Sequence, residues 1–201
     1  MKYNFDRSKP FYPLVMTYLA QLHGLKEICV IGVLVAADGK RNFVISSQYG
    51  DAGKDIETGI GSLLGPLNLA VTGDTETLDV SIEFVAQEMA LNHGYLLDFQ
   101  VRTASVCLAM AHEITKGKAY RSSGEKWEFL RHCRNAISHN AKWHFLNGEP
   151  LGGASWRGIK WKVAMHGEPL FAQADGMGYL KLGDPIALLW DIENENPNMT
   201  V

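Results

Sequence analysis

A chain of 201 residues is long enough for one domain with its own core, and its 46% hydrophobic and 20% charged residues exclude wholesale disorder. Three scattered cysteines, Cys29, Cys107 and Cys133, exclude a disulfide scaffold and fit thiols in a reducing compartment. The net charge of -3 conceals a contrast: Asp51 to Asp98 holds nine acids against Lys54 alone, whereas Lys116 to Lys142 holds seven Lys or Arg against Glu125 and Glu128. Such a contrast marks a local anionic partner, or two solvated faces that attract each other. The longest apolar run, Ile28 to Ala37, falls short of the roughly 18 residues a bilayer span requires. It also lies behind Asp6, Arg7 and Lys26, too deep for a secretion signal. The expectation is a soluble, cytoplasmic protein without membrane contact.

In chain order, Phe11, Leu14, Val15, Tyr18, Leu19 and Leu22 form an apolar stripe at helical spacing, with Gly24 as its C-terminal cap. Leu25 to Ala37 is apolar nearly all round, as in a buried helix, although Ile28 to Val33 also suits a buried strand. Asp38-Gly39 turns the chain before Phe43-Val44-Ile45, a short apolar run of either type. Asp55 to Val71 keeps the helical period through Ile56, Ile60, Leu63, Leu64 and Leu67. Asp74 then N-caps a helix that carries Leu78, Ile82, Val85 and Met89 up to His93-Gly94. A second long helix spans Leu96 to Lys116, with Gly117 just beyond it.

Ser122 and Glu125 make a capping box for a helix running from Trp127 to about His139. Past Asn147, Gly148, Pro150, Gly152 and Gly153 are loop residues. Arg157, Ile159, Trp161 and Val163 alternate as a strand, which His166-Gly167-Glu168-Pro169 turns toward Leu170-Phe171. Asp184-Pro185 opens a last helix through Ile192. The expected fold class is all-α, an antiparallel helical bundle with a small C-terminal β-hairpin and a final short helix.

Most local motifs point to no chemistry. Gly59 to Gly65 is one residue too long for the dinucleotide fingerprint, has no clear strand before it and no phosphate-loop lysine after it. Close helix packing explains it better. His112-Glu113 lacks the second histidine of a zinc-protease helix, and His132, Cys133, His139 and His144 match no common zinc spacing. No metal, no cofactor and no serine nucleophile is expected.

Arg131 to Asn140 differs. At about 100° per residue, Phe129, Leu130, Cys133, Ala136 and Ile137 fall on one face, and Arg131, Arg134, Asn135, Ser138 and His139 on the other. A plain polar face would account for this pattern. Exposed helix faces, however, usually carry Glu, Lys and Gln, whereas Asn, Ser and His are poorer helix formers. Beside two arginines they supply phosphate binders and a group that titrates near neutrality.

The string Arg134-Asn135-Ala136-Ile137-Ser138-His139 resembles the signature of the HEPN superfamily, an Arg, a polar residue and, after a short spacing, His. The resemblance implies a HEPN-like bundle over residues 1–147, with residues 148–201 adding the hairpin and helix to the same domain. It also implies a homodimer whose motif helices face each other and bring two Arg/His sets into one cleft. Many members are metal-independent endoribonucleases of toxin–antitoxin, phage-defence and plasmid systems; others are inactive modules that bind RNA, nucleotide or protein. Carried over by position, Arg134 and His139 are the catalytic pair and Asn135 the polar member. Arg131, Asn135, Ser138 and Lys142 are the expected substrate-binding residues, RNA the expected partner, and any antitoxin a separate protein.

Overall fold

Helices make up most of what the structure, a computed structural model, describes: residues 3–38, 67–70, 77–80, 82–121, 124–146, 153–160, 162–173 and 175–200. They are α1 (Phe11–Asp38), α2 (Ile82–Leu91), α3 (His93–Thr115), α4 (Glu125–Ser138) and α5 (Asp184–Glu195). Two small antiparallel sheets accompany them, β1 (Leu67–Ala70) with β2 (Thr77–Val80) and β3 (Ser155–Trp156) with β4 (Ile159–Lys160). The chain divides into two compact units, Met1–Leu22 with Phe99–Val201, and His23–Asp98. Among the described residues no helix is long and apolar enough to cross a membrane.

The first unit holds a continuous core. Phe11, Val15 and Tyr18 come from α1, Ala104, Cys107, Leu108 and Ala111 from α3, and Leu188, Leu189 and Ile192 from α5. From α4 come Trp127, Phe129, Leu130, Cys133 and Ala136, so the face expected to be apolar is the buried one. The hairpin is fastened to this core by Trp156, which is 3% exposed and packs on Phe129 at 5.7 Å between centroids. Its indole N–H donates to Asp191 Oδ2 on α5 at 2.8 Å.

Several elements differ from the sequence expectation. Gly24 does not cap a helix: α1 runs straight through it, because a capping glycine needs positive φ and Leu22, Leu25, Lys26 and Glu27 sustain the helical path. Ile28 to Val33 is accordingly helix, not strand. Leu67 and Leu78 lie in β1 and β2, paired in the register Leu67↔Val80 and Leu69↔Leu78. Their local period of two, satisfied by cross-strand pairing, overrides the helical spacing, and α2 starts only at Ile82 rather than after Asp74. The rest of the Asp55 to Val71 helix, the glycine run and Phe43-Val44-Ile45 lie outside the described residues.

Asn92 separates α2 from α3. Its Oδ1 accepts the Gly94 N–H at 3.0 Å, so α3 begins at His93, ahead of the expected Leu96. Gly124, not Ser122, is the N-cap of α4, and Ser122 lies outside the described residues. The hairpin turns at Arg157-Gly158, where φ values of 45° and 83° give a two-residue primed turn. Val163–Met165 is a 3-10 helix rather than strand, and Pro169 bridges to Lys142 instead of folding back on β4. The last helix opens at Asp184-Pro185 as expected and continues past Ile192 to Glu195.

Candidate functional site

The polar face of α4 meets the C-terminal end of α3 across a cleft of about 400 Å³. Arg131, Arg134 and Asn135 of α4 line it together with His112 and Lys116, Gly117 and Arg121 from the end of α3 and the loop after it. Local sequence builds each wall. Glu125 and Glu128 sit in the first turn of α4, where carboxylates favour the helix dipole. Glu128 Oε2 accepts Arg131 Nε at 2.8 Å, one turn on. After α3, Gly117 takes φ 74°, a left-handed conformation that lets the chain reverse and carry Arg121 back to the His112 carbonyl, at 3.4 Å.

Electrostatically the cleft is cationic. Lys116, Arg121, Arg131 and Arg134 face two paired carboxylates, Glu113 and Glu128. Glu113 Oε1 accepts Arg134 Nε at 2.9 Å and lies 3.3 Å from His112 Nδ1. The Arg134 guanidinium, and after it His112, holds the Glu113 carboxyl below the usual range, so it is ionised at neutral pH. Burial, with Arg131 adding to it, lowers the proton affinity of Arg121. A cation held in this way gains from an incoming anion, which offsets both desolvation and like-charge repulsion.

The expected site residues divide into two groups. Arg131, Arg134 and Asn135 share the cleft, and the Arg134 side chain is 42% exposed, within reach of a ligand. His139, Ser138 and Lys142 do not line it. His139 is the C-cap of α4 and stacks on His144, ring centroids 3.7 Å apart and planes 17° from parallel. The stack follows from a reversal at Asn140 and Ala141, both at positive φ, which Lys142 N–H to His139 O at 3.2 Å and Leu170 N–H to Ala141 O at 2.7 Å hold in place. Asn135 braces the same reversal by donating its amide to the His144 carbonyl at 2.8 Å. Ser138 turns its hydroxyl back to the Arg134 carbonyl at 3.2 Å.

His112 and Glu113, which the sequence offers only as an incomplete zinc helix, belong to this surface as well. The signal was their place at the end of a helix beside Gly117, with Lys116 four residues after His112 on the same face. His132 and Cys133 are buried in the core while His139 is exposed, and among the described residues no three His, Cys, Asp or Glu side chains are grouped to hold a metal. No protein-family model, curated protein or solved structure matches the chain.

Proposed function

We propose that the protein is an endoribonuclease of the HEPN type, acting as a homodimer and cleaving RNA without a metal. The observation that carries this reading is the half-exposed Arg134, first residue of the Arg-Asn-x3-His string, standing on a cationic cleft with Arg131, Lys116 and Arg121. A guanidinium there binds a phosphate bidentately and stabilises the charge of the phosphorane. His139, at the end of the same helix, supplies proton transfer. Within one subunit His139 stands outside the cleft, so the reading requires two copies with their α4 helices facing, each lending its His139 to the other's Arg134. The shared core of α1, α3, α4 and α5 supports the antiparallel bundle this arrangement needs. A toxin–antitoxin or defence role and a separate antitoxin chain come with the resemblance, and residence in the cytoplasm with the reducing compartment that the three scattered cysteines fit.

The stacking of His139 on His144, away from the cleft, favours a second reading. In it the protein is a non-catalytic module that holds RNA by its phosphates. Purified protein incubated with RNA in EDTA separates the two. The ribonuclease reading expects cleavage by the wild type, a loss of at least about 100-fold in both Arg134→Ala and His139→Ala, and unchanged melting curves. The Glu113–Arg134 pair is exposed to solvent, so losing it alone does not put folding at stake. Equal cleavage by wild type and both variants overturns the reading. RNA retained but intact supports the binding module.

A further inference from the structure

We infer that His112 is a second proton-transfer residue of this cleft, the base that takes the 2′-hydroxyl proton of an RNA whose phosphate Arg134 holds. The inference rests on the ribonuclease reading and deepens it. RNA cleavage by this route moves two protons, and with each His139 lent to the partner's Arg134 one imidazole serves each Arg134, which leaves one proton without a partner. Among the described residues that line the cleft, His112 is the one imidazole, and it stands on the wall opposite Arg134.

Three observations fit His112 to the task. It lines the cleft from the last turn of α3 and is 7% exposed, so bulk water is largely kept from it. One oxygen, Glu113 Oε1, contacts both His112 Nδ1 and Arg134 Nε, at 3.3 and 2.9 Å, so base and phosphate binder stand on either side of a single atom. An ionised carboxylate only accepts hydrogen bonds, which fixes the tautomer: Nδ1 carries the proton and Nε2 the lone pair. Among the described residues no hydrogen bond engages Nε2. This is the pattern of a base oriented by a carboxylate.

The charged groups around the ring set its protonation. Burial lowers its ordinary value of 6.5, Arg121 and then Arg134 lower it further, and Glu113 pulls the other way. The net direction is down, so the imidazole is neutral and ready to accept a proton at pH 7. In the step itself, the 2′-hydroxyl proton passes to Nε2, the O2′–P bond forms and the P–O5′ bond breaks. The leaving O5′ takes a proton from His139 across the dimer. The products are a 2′,3′-cyclic phosphate and a 5′-hydroxyl; water then takes the proton from His112 and restores one to His139.

The test is the pH profile of kcat/KM for RNA cleavage, with RNA affinity measured in parallel, for wild type, His112→Asn and Arg121→Gln. Asparagine keeps a donor toward Glu113 and removes Nε2. His112→Asn should cleave at least about 100-fold more slowly with RNA affinity within about two-fold of wild type, and lose the limb rising with pH. Arg121→Gln should move that limb to higher pH, because Arg121 is one of the groups holding it down. His112→Asn cleaving like wild type overturns the assignment and leaves the ribonuclease reading standing. RNA intact with the wild type overturns both. Should His112→Asn fail to fold, the limb in Arg121→Gln decides alone, and an unmoved limb overturns the assignment.

Discussion

Asn140 and Ala141 hold φ angles of 58° and 53°, a left-handed pair without glycine directly after the motif string. The left-handed region costs an ordinary L-residue roughly 1–2 kcal/mol and asparagine less. What over-determines the strain is the bonding on either side, His139 O to Lys142 N–H and Ala141 O to Leu170 N–H. Asn140 is exposed, so substitution there reports backbone strain with little packing. Asn140→Gly should match or slightly exceed wild-type stability, whereas Asn140→Val should lose about 1–2 kcal/mol, read from urea midpoints. Equal midpoints for the two would mean that no strain is stored at the reversal. This scale was only partly legible in the sequence. That Arg131, Arg134 and Asn135 share one face was legible because helical phase acts locally. The stacking of His139 on His144 was not, because it depends on a strained reversal and on bonds from residues 167–170, far along the chain.

Among the elements, α3, α4 and α5 were legible because each buries a stripe with the 3.6-residue period, and that burial outweighs propensity. The four-residue strands β1 and β2 were misread as helix, since so short a run fits both periods and only the pairing partner chooses between them. The hairpin β3–β4 was expected but misplaced, its turn depending on the positive φ of Arg157. Asp191 compensates there, bonding both Trp156 and Arg157, while the guanidinium also lies 5.1 Å from the Trp156 ring centroid. Gly24 was taken for a stop on residue type alone. It lies inside α1, and a methyl group built on it meets nothing within 4 Å. Gly24→Ala should therefore stabilise the protein by about 0.5–1 kcal/mol, by restoring helix propensity and restricting the unfolded chain. A thermal melt that falls instead of rising would contradict an uninterrupted α1.

For the whole molecule, the basic segment from Lys116 to Lys142 gives the cleft Lys116, Arg121, Arg131 and Arg134. Lys126 of the same segment pairs with Glu195 instead, so the cleft's cations are a selected subset and not the sum of the run. A net charge of -3 is then no obstacle to an anionic ligand, because the field near the cleft is set by these few groups and decays within about 10 Å at moderate salt. The reaction proposed for this surface breaks RNA through the strand's own 2′-hydroxyl. The most direct measurement offers purified protein two oligonucleotides of one sequence in EDTA, all-ribose and all-2′-deoxy, and identifies the product ends by mass spectrometry. The account predicts cleavage of the ribose strand alone, leaving 2′,3′-cyclic phosphate and 5′-hydroxyl ends. A ribose strand left whole, or cut with a 5′-phosphate, or a deoxy strand cut equally well, would contradict it.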